Sequence, residues 1–414
     1  MKGKQVIMRR HFLFIVTSFW AFGELQIASD FASELIRLGA KVLFLIPPSH
    51  VRKIRTQSIP YRTLIPQGVT INRIILRDIE ESFSPDYIIL SDFLNYSFCH
   101  KHYGLTLSDL SVFSGSIGAF DLYNFASTRG KIDTYGFRAK EMSQLSLSDY
   151  AFLLQPCPVN IPALSEVNNN LRYRLFNSVS CRSEADIARS RDSLKMKPSE
   201  KLIVMTGAVW QSSFRPYANV HKMVSAIDGV IIQMLQNLPD YVKTLWIGPR
   251  RTDMPKGMPQ IQQVDSLSQQ EFESCVDGAD VFISMNYIST SMIRAALRGV
   301  PVVLLGNSFL KRAGESRYVT SRNPEPDILR DIDDVYPFRM FPVGWYSFLE
   351  PVVNGNPFYR LTKRAEVFDI QSVYETIEEA ICETYGKTVE NLAAFRAKWL
   401  ELPSIEHIVI SLCN

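Results

Sequence analysis

The sequence predicts an α/β protein of two doubly wound, Rossmann-like domains that face one another, with a helical tail at the C-terminus. The chain has 414 residues, which is enough for two domains of about 150 to 200 residues each. Hydrophobic residues make up 46% of the chain and supply a core for both domains. Short apolar runs alternate with helical patterns, which favours parallel sheets covered by helices.

The charge and cysteine content narrow the class of partner. The chain has 45 Lys and Arg residues against 42 Asp and Glu residues, a net charge of +3, so it carries no strong field for nucleic acid or an anionic membrane. Its six cysteines form no CxxC pair, so we expect reduced thiols, no metal site and a cytoplasmic location. The expected partner is a small molecule. A homodimer is one possible oligomeric state.

The first apolar stretch, Phe12 to Phe22, follows several basic residues and superficially imitates a secretory signal. It lacks an A-x-A-like cleavage site and is far shorter than the roughly 20 residues that cross a bilayer. We therefore interpret His11–Thr17 as a buried first strand. No membrane span is predicted.

The remaining elements of a first domain, residues 1–180, follow in order. A helix is predicted over Gly23–Leu38, since its apolar residues recur every three or four positions and Gly39 ends it. The further strand predictions are Val42–Ile46, Thr70–Leu76, Tyr87–Leu90, Ser111–Ile117 and Tyr150–Leu154. Between Gln155 and Lys201 the pattern weakens, which indicates a linker region.

A second α/β series predicts a domain over residues 181–400, with a C-terminal tail over 401–414. Its predicted strands are Leu202–Thr206, Thr244–Ile247, Val281–Ser284 and Val300–Leu305, and its predicted helices are 220–238, 269–276, 291–298 and 371–400. An insertion over 323–358, rich in Pro and aromatic residues, exceeds normal connections. It is either a functional loop or a locally packed elaboration.

Ligands of open α/β sheets bind beyond the carboxyl ends of strands, where helices begin. The loop after the first strand brings Trp20 and Gly23 there as acceptor contacts and Glu24 as a candidate general base. Alternatively, Glu24 is only a first-turn acid favoured by the helix dipole.

A second loop, Ser284 to Ser291, ends in three successive hydroxyl residues at a predicted helix start. Asn286, Ser289, Thr290 and Ser291 are predicted to hold the phosphates of a donor. The alternative is an ordinary helix cap, for which one hydroxyl suffices.

Other candidates follow strands or lie in the insertion. Asp121 is predicted to be catalytic, Asp92 and Trp345 to bind the acceptor, and Gly207 and Trp210 to bind the donor. The purely structural alternatives are loop caps for the two aspartates, core packing for Trp210 and a local hydrophobic cluster around Trp345. No Walker loop, GxSxG elbow or HExxH motif occurs in the sequence.

The chain resembles nucleotide-sugar-dependent glycosyltransferases of the GT-B fold, in the branch with macrolide, antibiotic and plant small-molecule enzymes. Phe14 to Pro47 is similar to the family's opening strand, loop, helix and second strand. Val264 to Leu305 resembles its donor-binding segment, including Ser291 and Gly299-Val300-Pro301. The resemblance implies two Rossmann-like domains, a nucleotide-activated sugar as co-substrate, a small-molecule acceptor and no metal or other cofactor.

The sequence also departs from that family at the functional positions. Glu24 stands where the family usually has the basic His, and Asn286-Tyr287-Ile288 replaces its His-Gly-Gly. Arg294 replaces the Glu that contacts ribose, and a guanidinium suits phosphate or carboxylate better than a diol.

The resemblance implies transfer of a glycosyl or related group to a small molecule, in secondary metabolism, with Glu24 as base. Two rivals stay open: another GT-B enzyme, such as a sugar-nucleotide epimerase or a coupling enzyme with another phosphorylated donor, and a non-catalytic protein that binds a nucleotide or a partner.

Overall fold

The computed structural model describes residues 7–92, 102–124, 131–134, 137–141, 150–162, 170–208, 211, 218–249, 260–312, 314–319, 325–341, 343–383 and 385–413. The chain divides into two compact units. Unit 1 comprises Met1–Arg129, Ser143–Asn177 and Ala397–Asn414, and unit 2 comprises Gly130–Met142 and Ser178–Arg396. The C-terminal segment therefore belongs to unit 1, whereas the sequence pattern had set it apart as a tail.

The strands, in chain order, are β1 His11–Ile15, β2 Lys41–Ile46, β3 Tyr61–Thr63, β4 Tyr87–Leu90, β5 Ser116–Phe120, β6 Lys131–Thr134, β7 Phe137–Glu141, β8 Phe152–Cys157, β9 Asn170–Arg174, β10 Lys201–Thr206, β11 Val242–Ile247, β12 Ile261–Val264, β13 Val281–Ser284, β14 Val302–Gly306, β15 Phe309–Arg312, β16 Glu315–Tyr318, β17 Phe338–Met340, β18 Val343–Trp345 and β19 Thr362–Glu366. The helices are α1 Phe22–Arg37, α2 Val51–Thr56, α3 Val69–Phe83, α4 Glu184–Ser193, α5 Ala218–Gln236, α6 Gln269–Gly278, α7 Thr290–Leu297, α8 Tyr346–Val353, α9 Ile370–Cys382, α10 Tyr385–Leu400 and α11 Ile405–Cys413.

Unit 1 is built on a seven-stranded parallel sheet of order β3-β2-β1-β4-β5-β8-β9. Phe14 on β1 stacks on Phe44 of β2 at 5.0 Å between ring centroids, and Phe31 of α1 meets Phe14 edge-on at 6.1 Å. The chain reverses its direction of travel through the sheet between β1 and β4. Ligands of doubly wound sheets bind at such a switch point.

The predicted strand over Thr70–Leu76 is wrong, because these residues lie in helix α3. The helix buries Leu76 and Ile79 on one side. It leaves Ile71 and Ile74 exposed on the other, and these apolar residues on the solvent face disguise the helical period.

Unit 2 contains a six-stranded parallel sheet of order β12-β11-β10-β13-β14-β19. Strand β13 has the predicted bounds, Val281–Ser284. The edge strands β12 and β19 were not predicted because their sequences, IQQV and TKRAE, lack an apolar run. The two parallel sheets establish the predicted α/β class with two Rossmann-like domains.

The insertion of unit 2 forms elements of its own and packs against the rest of the unit. Strands β17 and β18 form an antiparallel hairpin, and α8 follows directly. Phe338 and Phe341 are buried in the unit's hydrophobic core. The insertion therefore packs into unit 2, and β18 and α8 also lie against β6.

The last residues of the chain, from the end of α10 through α11, complete unit 1. Trp399, near the end of α10, is fully buried and its indole N–H donates to the carbonyl of Cys157 at 3.0 Å. The Tyr87 hydroxyl donates to the carbonyl of Leu412 in α11 at 2.6 Å. Among the helices of the described residues, none is both long and apolar enough to cross a membrane.

Candidate active site

The candidate site of unit 1 begins where β1 and β4 end side by side. Asp92, directly after β4, accepts hydrogen bonds from the backbone N–H of Thr17 at 3.0 Å and of Ser18 at 2.7 Å. Burial raises the pKa of Asp92, while the hydrogen bonds from Ser18 and Thr17 lower it. The carboxylate therefore holds the loop that connects β1 to α1.

Glu24 lies in the first turn of α1, where Ala21 at the N-cap supplies no side-chain hydrogen bond. The side chain is half-buried. Burial raises the pKa of Glu24 to about 7, and the charge of Asp92 acts in the same direction. Hydrogen bonds from its own backbone N–H and from Tyr123 oppose this shift. Near pH 7 both protonation states are populated, as general acid–base catalysis requires.

Asp121, the second predicted catalytic carboxylate, follows β5 and is fully buried. Its Oδ2 accepts from Gln155 Nε2 at 2.8 Å, and Gln155 Oε1 in turn accepts from Arg172 Nε at 3.0 Å. This chain of hydrogen bonds holds Asp121 in place two residues before Tyr123. Asp121 thus anchors the segment that carries Tyr123, whose side chain bonds to Glu24.

Sequence reasoning missed two residues of this site. Tyr123 is buried and bonded to Glu24, and its only signal was its place shortly after a strand. His50 follows β2, is fully buried and lies 4.5 Å from the ring of Phe22. Burial, and then the charge of Lys53, lower the pKa of His50 to about 4, so the imidazole is neutral at pH 7.

The predicted acceptor contacts Trp20 and Gly23 flank this site in sequence. Trp20 is partly exposed and packs edge-on against Phe19, with ring centroids 4.4 Å apart. A Cβ placed on Gly23 would meet no atom within 4 Å, so the fold itself does not require glycine there. Internal packing therefore leaves open space beside Gly23.

The hydroxyl-rich loop of unit 2 starts helix α7. Ser289 is the N-cap, its Oγ accepts from the backbone N–H of Met292 at 3.3 Å, and it lies 3.0 Å from Ser291 Oγ. Thr290 is the first helical residue. The ordinary helix cap that the alternative interpretation predicted is thus present, and Ser291 adds a second hydroxyl beside it.

Asn286 and Arg294 belong to the same segment but differ in their surroundings. The backbone N–H of Asn286 donates to Ser284 Oγ at 3.2 Å, while its side-chain Oδ1 is buried without a hydrogen bond among the described residues. Arg294 is only 5% exposed and its Nη1 binds Glu273 Oε1 at 3.0 Å. This ion pair joins α7 to α6, a different role from the phosphate contact that the sequence predicts.

The last predicted site residues lie in different parts of unit 2. Gly207 directly follows the carboxyl end of β10. A Cβ added to it would lie 3.1 Å from Trp246 Nε1. Trp210 lies outside the described residues. Trp345 is almost fully buried and directly precedes α8, with a left-handed φ of 47°.

Solved structures share this fold. The spinosyn forosaminyltransferase SpnP is 12% identical, with 98% of each chain covered and a TM-score of 0.55. The spinosyn rhamnosyltransferase SpnG is 10% identical in its complex with thymidine diphosphate (TM-score 0.55) and 9% identical in its complex with spinosyn aglycone (TM-score 0.53), with 98% of this chain and 100% of that chain covered in both. The fold is therefore of the GT-B glycosyltransferase type, as the resemblance implied.

The family assignment is more specific than the fold. A family model described as "Family of unknown function (DUF6365)" matches residues 31–414, and the chain belongs to that family. No curated protein matches the sequence.

Proposed function

We propose that the protein is a glycosyltransferase that moves a glycosyl group from a nucleotide-activated donor to a hydroxyl of a small molecule, in secondary metabolism. The observation that carries this proposal is Glu24, a carboxyl group with a pKa of about 7 at the start of the first helix of a GT-B fold. A base with that pKa suits proton abstraction near neutral pH.

In the proposed reaction, Glu24 takes the proton from the acceptor hydroxyl. The acceptor oxygen forms a bond to the anomeric carbon, and the bond from that carbon to the diphosphate breaks, so that the nucleoside diphosphate leaves with the electron pair. Asp92 supports this role because its negative charge favours the protonated form of Glu24. Tyr123 donates to Glu24 and orients the carboxylate.

Unit 2 is proposed to bind the donor. Asn286, Ser289 and Ser291 present polar groups near the carboxyl end of β13 and the start of α7, where free N–H groups favour anions. A structurally similar protein binds thymidine diphosphate and also spinosyn aglycone, which supports a nucleotide and a small-molecule acceptor here.

A thermal-shift screen against UDP, dTDP, GDP, CDP and ADP tests the donor class. A specific ligand at 100 times its Kd stabilises the folded protein by about 2.7 kcal/mol. Mass spectrometry of reactions with the matching nucleotide sugar and a panel of phenol and macrolide acceptors then detects the product. A nucleotide that binds without any glycosylated product would instead support a non-catalytic binding protein.

A further inference from the structure

Two arginines lie over one tyrosine ring in unit 2. Tyr287 follows β13, and the guanidinium carbons of Arg339 and Arg364 lie 5.2 and 5.3 Å from its ring centroid. Arg339 also lies 4.5 Å from the ring centroid of Tyr346. Aromatic faces attract cations without neutralising them, so both guanidinium groups keep their positive charge beside the Tyr287 ring.

Arg339 is buried without a complete set of partners. The side chain is 7% exposed, and its Nε has no hydrogen-bond partner among the described residues. Glu350 comes within 3.7 Å of Nη2, which is an ion pair but too long for a hydrogen bond. An N–H of a buried cation without a partner is costly, and an anion at that N–H would remove the cost.

Arg364 is the second cation and lies on the exposed side of β19. It has no carboxylate within 4 Å in the part of the chain that the structure describes. Glu366, two residues along the same strand, accepts from the backbone N–H of Ser308 at 2.7 Å and from its hydroxyl. That carboxylate is thus bound to Ser308, and it attracts Arg339 only at longer range.

The backbone around this cluster is fixed. The N–H of Tyr287 donates to the carbonyl of Arg339 at 3.2 Å, and the Tyr359 hydroxyl donates to the carbonyl of Tyr287 at 2.9 Å. Arg364 pairs in register with Leu304 of β14. The arginines therefore stand in a rigid frame beside the loop that contains Asn286.

We infer that Arg339 and Arg364 form a binding site for a phosphate-type anion at the Tyr287 loop. Guanidinium groups match phosphate oxygens with two parallel N–H bonds, and the aromatic rings hold the groups ready. Resting on the proposed function, the anion is the diphosphate of the donor. These residues then take the role that the sequence predicted for Arg294.

Isothermal titration with inorganic pyrophosphate tests this site without any turnover. Arg364→Met removes an exposed side chain and is expected to fold and to weaken pyrophosphate binding at least tenfold. Arg339→Lys keeps the charge but loses the planar donor geometry, so it is also expected to weaken binding. Arg189→Met is the matched control, because it removes an exposed charge of the same unit on α4 and should leave binding unchanged.

Binding that is absent in the wild type, or equal in the wild type and Arg364→Met, overturns the inference. A weakening by Arg189→Met as large as that by Arg364→Met would also overturn it, since net charge would then explain the effect. The proposed function fails separately. If Arg364→Met weakens pyrophosphate binding but the protein turns over no nucleotide sugar, the anion site is supported and the proposed function fails. If turnover depends on Glu24 but Arg364→Met leaves pyrophosphate affinity unchanged, the function is supported and the anion site fails.

Discussion

The carboxylate of Asp92 raises the pKa of Glu24, adding to the effect of burial. Asp92 is itself held by two backbone N–H groups of the loop after β1, so its position relative to Glu24 is set by the strand ends. This pairing of two carboxyl groups lies at the switch point of the sheet. Its consequences are testable one residue at a time.

Removing the proposed base should abolish most of the activity. Glu24→Gln keeps the shape of the side chain but cannot accept the proton, so we expect kcat to fall by roughly 10²- to 10⁴-fold. Glu34→Gln, on the surface of the same helix, is the control and should be neutral. An unchanged kcat in Glu24→Gln, measured with a turned-over nucleotide sugar, would remove Glu24 from the mechanism.

The activity should depend on pH through Glu24. A base works when deprotonated, so kcat/KM is expected to rise with pH and level off above about pH 7, where the pKa of Glu24 lies. Asp92→Asn removes the negative charge that raises this pKa, so the rising limb should move to lower pH. Asp86→Asn is the control, because Asp86 accepts from the N–H of His11 at the opposite end of β1. A limb that stays in place in Asp92→Asn contradicts the coupling.

Tyr123→Phe should shift the same limb in the opposite direction. The hydroxyl of Tyr123 donates to Glu24 and lowers its pKa, so its removal is expected to raise that pKa and move the limb to higher pH. The pH profile of kcat/KM measures both variants under identical conditions. A limb that moves to lower pH in Tyr123→Phe, as in Asp92→Asn, would contradict a hydrogen bond from Tyr123 to the Glu24 carboxylate.

The C-terminal segment should contribute strongly to stability. Trp399→Ala removes a fully buried indole and its hydrogen bond to Cys157, so we expect a loss of about 3–5 kcal/mol in the free energy of unfolding. Leu400→Ala, whose side chain is 51% exposed, is the neighbouring control and should change little. Urea unfolding measures both, and equal losses would show that Trp399 has no special packing role.

The local elements were largely predictable because their causes are local. The apolar residues of α1 recur at helical spacing and Gly39 has the φ of 89° that ends such helices, so the predicted helix agrees with Phe22–Arg37. The apolar run Val281–Ser284 predicted β13 with its observed bounds. Helix α3 was missed because apolar residues on its exposed face do not reveal which side is buried.

The sequence by itself determined the α/β class, the two doubly wound sheets and the position of Glu24 in a first helical turn. These features depend on hydrophobic periodicity and on where strands end, and both follow from residues that are neighbours in the chain. Only the tertiary structure decided which groups surround Glu24 and how they shift its pKa. Asp92 meets Thr17 across 75 residues of chain, and Arg294 meets Glu273 across 21. Burial and distant charges shift a pKa only after the chain has packed, so the pKa of Glu24 and the cations over Tyr287 follow from folding rather than from local pattern.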